Sequence, residues 1–139
     1  MPALEIAEAR RRFAAARVAD LATVRADGRP HLVPIVFAVD GDTVYSIADQ
    51  KPKRGLDLVR HRNIAAHPTV SLLVNEYHEP WSGIWWVRAD GSARVVEDGQ
   101  ERDLAIDLLR AKYSQYAEWT TPFGAATVIV VERWSSWAL

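Results

Sequence analysis

Apolar and polar residues alternate with a period of two along most of this chain, interrupted by three stretches of helical period. Residues 18–25 and 29–39 read as strands. Asp27-Gly28 between them predicts a tight turn, because glycine accepts a positive φ. In the second run His31, Val33, Ile35, Phe37 and Val39 share one face, and Leu32, Pro34, Val36 and Ala38 share the other. Both faces are largely apolar, which predicts a strand covered on both sides. Pro34 cannot donate a ladder hydrogen bond and so predicts an edge, a bulge or a break in pairing. Asp40-Gly41 leads into a third strand at 43–47, and the three predict an antiparallel meander.

Residues 51–62 carry Lys51, Lys53, Arg54, Arg60 and Arg62 against a single acid, Asp57. A short helix is expected over 56–62, with Asn63 capping a further turn that ends before Pro68. A strand follows at 69–77, then segments 84–89 and 92–96, which predict a hairpin about Asp90-Gly91. Residues 100–116 carry a broad apolar stripe at helical spacing. Pro122 and Gly124 precede a last strand at 125–131. At the start of the chain Pro2 can open a helix in which Ile6, Ala9, Phe13 and Ala16 recur, with Arg10, Arg11 and Arg12 on a solvated side. The sum is about seven antiparallel strands and three helices. That is a mainly β fold, a small barrel with flanking helices.

At 139 residues the chain is expected to form one domain spanning 1–139. Its formal charge of −1 gives no global attraction to nucleic acid or to an anionic membrane. The basic stretch is therefore a local feature. A cationic loop leading into a helix points to a small anionic ligand such as a phosphate. The chain has no cysteine, which excludes disulfides and thiolate chemistry. No signal-peptide pattern and no membrane-spanning apolar run is seen, so a soluble cytoplasmic protein is expected.

Dinucleotide and triphosphate glycine motifs are missing, as is a G-x-S-x-G elbow. His31, His61, His67 and His78 lack metal-ligand spacing, so no metal is expected. Glu76 and Glu79 form no pair whose separation the sequence fixes. No catalytic side chain is identifiable, and a bound cofactor is expected to carry any chemistry.

The segments ATVRADGRPHLVPIVFAVDGDTVYSIAD, KPKR, LVRHRNIAAHPTVSLLV and WVRADGSAR match, in order and spacing, the pyridoxamine-phosphate-oxidase-like split-barrel family. Together they cover most of residues 18–97, and the chain most resembles the branch of coenzyme F420-dependent oxidoreductases. The resemblance implies an FMN-binding-protein-like split β-barrel that forms a homodimer with cofactor sites between subunits. It implies that Lys51, Lys53 and Arg54 hold the cofactor phosphate, with Arg60 a further candidate. Val33, Pro34, Ile35 and Val36 would lie along the ring, and Ser46 would face it. Trp81 and Ser82 match a Trp-Ser pair that some relatives place at the ring, and Trp85, Trp86 and Arg88 are further candidates. Trp85 and Trp86 are adjacent on a strand, so one of them at most should face a given cleft. The implied cofactor is F420, with FMN the alternative and a non-catalytic carrier the second alternative. The chain has Gln50-Lys51-Pro52-Lys53 where FMN-dependent oxidases have Ser-Arg-Lys, and Arg133-Trp134 does not match their C-terminal segment. Both departures count against pyridoxamine phosphate as substrate.

Overall fold

A computed structural model describes residues 2–49 and 58–139. In chain order the elements are α1 (Ile6–Ala15), β1 (Ala19–Val24), β2 (Pro30–Ile35), β3 (Ala38–Asp40), β4 (Thr43–Asp49), α2 (Val59–Ala66), β5 (Thr69–Glu76), β6 (Trp85–Val96), α3 (Gln100–Lys112), α4 (Ser114–Ala117) and β7 (Phe123–Ala138). The strands form one antiparallel sheet in the order β2-β1-β5-β6-β7-β4-β3.

The two edge strands of that order, β2 and β3, are consecutive in sequence and joined only by Val36 and Phe37. A sheet whose opposite edges are linked by two residues must curl on itself, so the barrel closes at this seam. The expected three-strand meander is thus corrected. The long second run divides, its first part pairing with β1 and its last part with β4. Nor is the second run covered on both sides, since Leu32 is 67% exposed on the outer face of β2. Pro34 sits on that edge strand opposite Asp20, where its missing donor costs no ladder bond.

The backbone at the seam has no ladder of its own, and side chains supply its partners. Ser46 Oγ donates to the Val36 carbonyl at 3.0 Å. The Phe37 amide donates to Tyr113 Oη at 3.2 Å. Lys112 Nζ donates to the Phe37 carbonyl at 2.9 Å and lies 3.9 Å from the Phe37 ring centroid. Tyr113 Oη also has the Arg17 carbonyl at 2.9 Å. The end of α3 therefore clasps the barrel shut.

Burial, then the nearby charge of Arg17, lowers the Lys112 pKa from 10.5 to about 8. Between those pH values the unfolded chain holds a proton that the folded chain lacks, so raising the pH favours the folded state. Urea titrations at pH 7.5, 8.5 and 9.5 should show the wild type gaining stability relative to Lys112→Met. Parallel pH profiles for the two proteins would contradict this placement of Lys112.

The interior holds Phe13, Leu21, Phe37, Val44, Leu72, Val87 and Ile129, with α1 closing one end through Phe13. Phe13 meets Phe37 and Trp134, each with ring centroids 5.1 Å apart. The arginine run of α1 is not merely solvated. Arg10 pairs with Asp42 at 3.0 Å, and Arg12 lies 5.4 Å from the Trp85 ring centroid, so both tie the helix to the barrel. A second core forms where α3 packs on its own barrel, joining Ala105 and Leu109 to Tyr45, Ile47, Ala126 and Val128.

Two further expectations change. Asp90-Gly91 is no turn but runs through the middle of the twelve-residue strand β6, opposite a bulge in β7 at Glu132, and Gly91 packs against the β7 backbone at Val130. The tail continues β7 to Ala138 rather than ending at 131. Seven strands result among the described residues because one predicted strand splits and two fuse. The second helix begins at Val59, and Asn63 lies inside it, buried, donating from Nδ2 to Thr23 Oγ1 at 3.0 Å. The first helix starts at Ile6, four residues beyond Pro2.

Candidate functional site

A cleft of about 340 Å³ opens beside the seam. Its walls are Pro34, Ile35 and Val36 at the end of β2, Ser46, Ile47 and Asp49 on β4, Arg60 on α2, and Tyr113, Gln115 and Tyr116 at the α3–α4 junction. Each wall has a local cause. β2 must leave the sheet at Val36, which exposes a strand end. β4 carries Ser46 across from Thr127 and turns outward after a pairing irregularity between Ile47 and Asp49. The helix breaks at Tyr113, whose φ of −115° and ψ of 115° are extended, and this directs Tyr113 and Tyr116 toward the opening.

The cleft is chemically two-sided. Arg60 is half-buried, and among the described residues its Nε has no hydrogen-bond partner. Burial lowers the Arg60 pKa, while the charge of Asp49 acts in the opposite sense. A guanidinium remains cationic under such a shift. Tyr116 is pushed up to about 12 by burial first and by the Asp49 charge second, so it stays a neutral phenol. Ser46 Oγ is engaged with the Val36 carbonyl and therefore fixes the strand end rather than reaching into the opening. The set offers a flat apolar strand end and aromatic edges at one side, with a half-buried guanidinium whose Nε lacks an acceptor, beside the Asp49 carboxylate, at the other. Such a set fits a planar heteroaromatic group that bears an anion.

Of the residues expected at a cofactor, Pro34, Ile35, Val36, Ser46 and Arg60 come together here. Lys51, Lys53 and Arg54 lie outside the described residues. Val33 packs instead against the barrel core. Trp81 and Ser82 stand on the loop between β5 and β6, where Trp81 is 69% exposed. Trp85 lies under Arg12 and donates to Glu76 Oε2 at 3.2 Å. Trp86 and Arg88 line a shallow cavity on the outer sheet face with Leu73 and Tyr77. Within one chain none of these five lines the cleft. Trp85 and Trp86 do face opposite sides of β6. Tyr113, Gln115 and Tyr116 were missed because the sequence reads as one helix through 116. The i, i+3 tyrosine pair at its end was the available signal.

A larger cavity, about 980 Å³, lies between α2, β6 and the start of β7. Arg102 there donates to the Gly124 and Phe123 carbonyls at 2.8 and 2.6 Å, and Arg94 pairs with Glu101 at 2.6 Å. These cations serve the fold. Among the described residues no group of histidines and carboxylates could hold a metal, and no helix is long and apolar enough to cross a membrane.

No protein of curated function matches the chain in sequence. Solved structures do. A FAD-binding protein of Mesorhizobium loti is 25% identical with a TM-score of 0.74, the match covering 97% of this chain and 93% of that one. A conserved hypothetical protein of Mycobacterium tuberculosis superposes with a TM-score of 0.79 at 20% identity, covering 97% and 85%. The heme storage protein HutZ of Vibrio cholerae gives 0.69 at 17% identity, covering 97% and 95%. The latter two show the fold alone. The sequence profile of the pyridoxamine 5'-phosphate oxidase family matches residues 6–138, nearly the whole of the barrel described above. With profile, strand order and split seam in agreement, the chain belongs to the pyridoxamine 5'-phosphate oxidase family.

Proposed function

We propose that this protein is an oxidoreductase that binds a phosphate-bearing deazaflavin, coenzyme F420, in the cleft beside the seam. The observation that carries the reading is Arg60, whose buried Nε has no acceptor among the described residues, in the wall of an opening that the end of β2 also lines. When bound, the cofactor supplies a hydride from its C5 carbon to a small conjugated or quinone-like acceptor. The backbone at Pro34–Val36 supports and orients the ring, and Ser46 holds that backbone in place. Arg60, with Lys51 and Lys53, binds the phosphate. Tyr113 and Tyr116 wall the acceptor side and exclude water, and Tyr116 remains a proton carrier at neutral pH. The active unit in this reading is a homodimer. The outer sheet face supports that, because it presents Leu32, Leu73 and Trp86 where a lone barrel has no layer to cover them.

A second reading, a flavin as the cofactor, rests on the Mesorhizobium loti relative, described as FAD-binding. A tryptophan-fluorescence titration with F420, FMN and FAD separates the two. Trp119 lies 5.8 Å from Tyr116 in the cleft wall and is suited to report. Micromolar F420 binding with much weaker flavin binding supports the first reading, and the reverse order supports the second. Binding of none overturns both. Replacing Lys51 and Lys53 together with alanine should weaken binding severalfold with the melting temperature unchanged, and unchanged affinity would remove those lysines from the site.

A further inference from the structure

We propose that Arg17 and Lys112 form a binding site for a small oxyanion, a carboxylate or a phosphate, whose occupant tightens the clasp at the seam. The site is separate from the cleft, whose walls include neither residue. Both cations sit beside one aromatic ring. Lys112 Nζ lies 5.2 Å and the Arg17 guanidinium carbon 5.6 Å from the Tyr113 ring centroid. Hydrogen bonds to the backbone hold each in place. Arg17 Nη1 donates to the Lys112 carbonyl at 2.8 Å, at the end of α3, and the Arg17 carbonyl accepts from Tyr113 Oη at 2.9 Å. Lys112 Nζ directs one donor to the Phe37 carbonyl and lies against the Phe37 ring.

What the pair lacks is an acid. Among the described residues neither cation has a carboxylate within ion-pair distance, whereas Arg10, Arg12, Arg29, Arg88 and Arg94 each have one. Burial and then the like charge of Arg17 bear on Lys112, and no described acid offsets them. An ammonium has three donors and a guanidinium five, so most of both sets remain for a ligand. An oxyanion between them would accept charge-assisted hydrogen bonds from both and cancel their repulsion. Arg17 also lines a groove of about 680 Å³ with Val18, Val74 and Trp85, which gives such an ion access from solvent. The site exists only where the end of α3 meets the segment after α1. An ion bound there therefore favours the closed barrel by mass action.

The test titrates inorganic phosphate, and separately acetate, into wild type, Arg17→Gln and Arg60→Gln at an ionic strength held constant with sodium chloride. The readouts are the melting temperature and the Lys112 pKa, followed through its ε-carbon NMR signal. That signal is one of three from lysines and the one missing from Lys112→Met. The proposal predicts that at least one ion raises the wild-type Lys112 pKa saturably from about 8 toward 10.5, with a rise in melting temperature. In Arg60→Gln the midpoint of the Lys112 response is unchanged. In Arg17→Gln it moves to an anion concentration at least about tenfold higher, as expected for loss of a charged hydrogen bond. The ion with the lower midpoint names the ligand class. A Lys112 pKa that neither ion moves beyond the effect of chloride means an adventitious ion only and overturns the proposal. So does a response that Arg60→Gln abolishes, which would put the anion in the cleft, or one that Arg17→Gln leaves intact. These outcomes hold whichever cofactor the cleft takes.

Discussion

Gly91→Ala is expected to lower stability by at least about 3 kcal/mol and the melting midpoint by about 10 °C, the upper range for overpacking. A β-carbon at this position would collide with the Val130 carbonyl oxygen of β7, and would lie 2.9 Å from the Val130 carbonyl carbon and 3.1 Å from Val131 Cα. All three are backbone atoms of the neighbouring strand, so no side-chain rotation relieves the contact. The bulge at Glu132, opposite Asp90/Gly91, lets two twelve- and sixteen-residue strands pair along the length of β6. Losing the close approach must separate β6 from β7 at its centre. Urea denaturation of Gly91→Ala against Gly41→Asn makes the comparison direct. Gly41 has φ of 62° and open space around it, a conformation asparagine tolerates. Comparable stability of the two variants would contradict the close packing at Gly91.

Tyr113→Phe is expected to cost about 2 kcal/mol, the range for a buried donor left without its acceptor. The hydroxyl accepts from the Phe37 amide at the seam, where no strand can replace it. Lys112 still serves the Phe37 carbonyl, so the amide is the group left unmade. The same ring lines the cleft next to Val36, so cofactor affinity should fall severalfold along with stability. Unchanged chemical denaturation would show that the clasp is not what closes the barrel.

The residues carry the fold further than they carry the site. Period-two patterning found part of every strand, though not the 132–138 stretch of β7, since alternation reports which face is buried. It could not show that 29–39 divides at Val36-Phe37, because that break is imposed by closure of the sheet and not by a local breaker. Asp90-Gly91 has the composition of a hairpin turn, and only the unbroken pairing and close packing against β7 tell a mid-strand position from a turn. The end of α3 was obscured because Tyr113 and Tyr116 continue its apolar stripe. At the site, the resemblance led to Pro34, Ile35, Val36, Ser46 and Arg60, which the fold gathers from three elements. The tryptophans pointed elsewhere. An aromatic residue signals a large apolar surface but not which of several apolar surfaces it joins.

The claim that the seam cleft is the cofactor site is tested most directly by a crystal structure of the protein soaked with whichever of F420, FMN or FAD binds most tightly. The account predicts a ring stacked along Pro34–Val36 with its phosphate at Arg60. A ligand lodged instead in the cavity lined by Arg94 and Arg102, or on the outer face at Trp86, would contradict it.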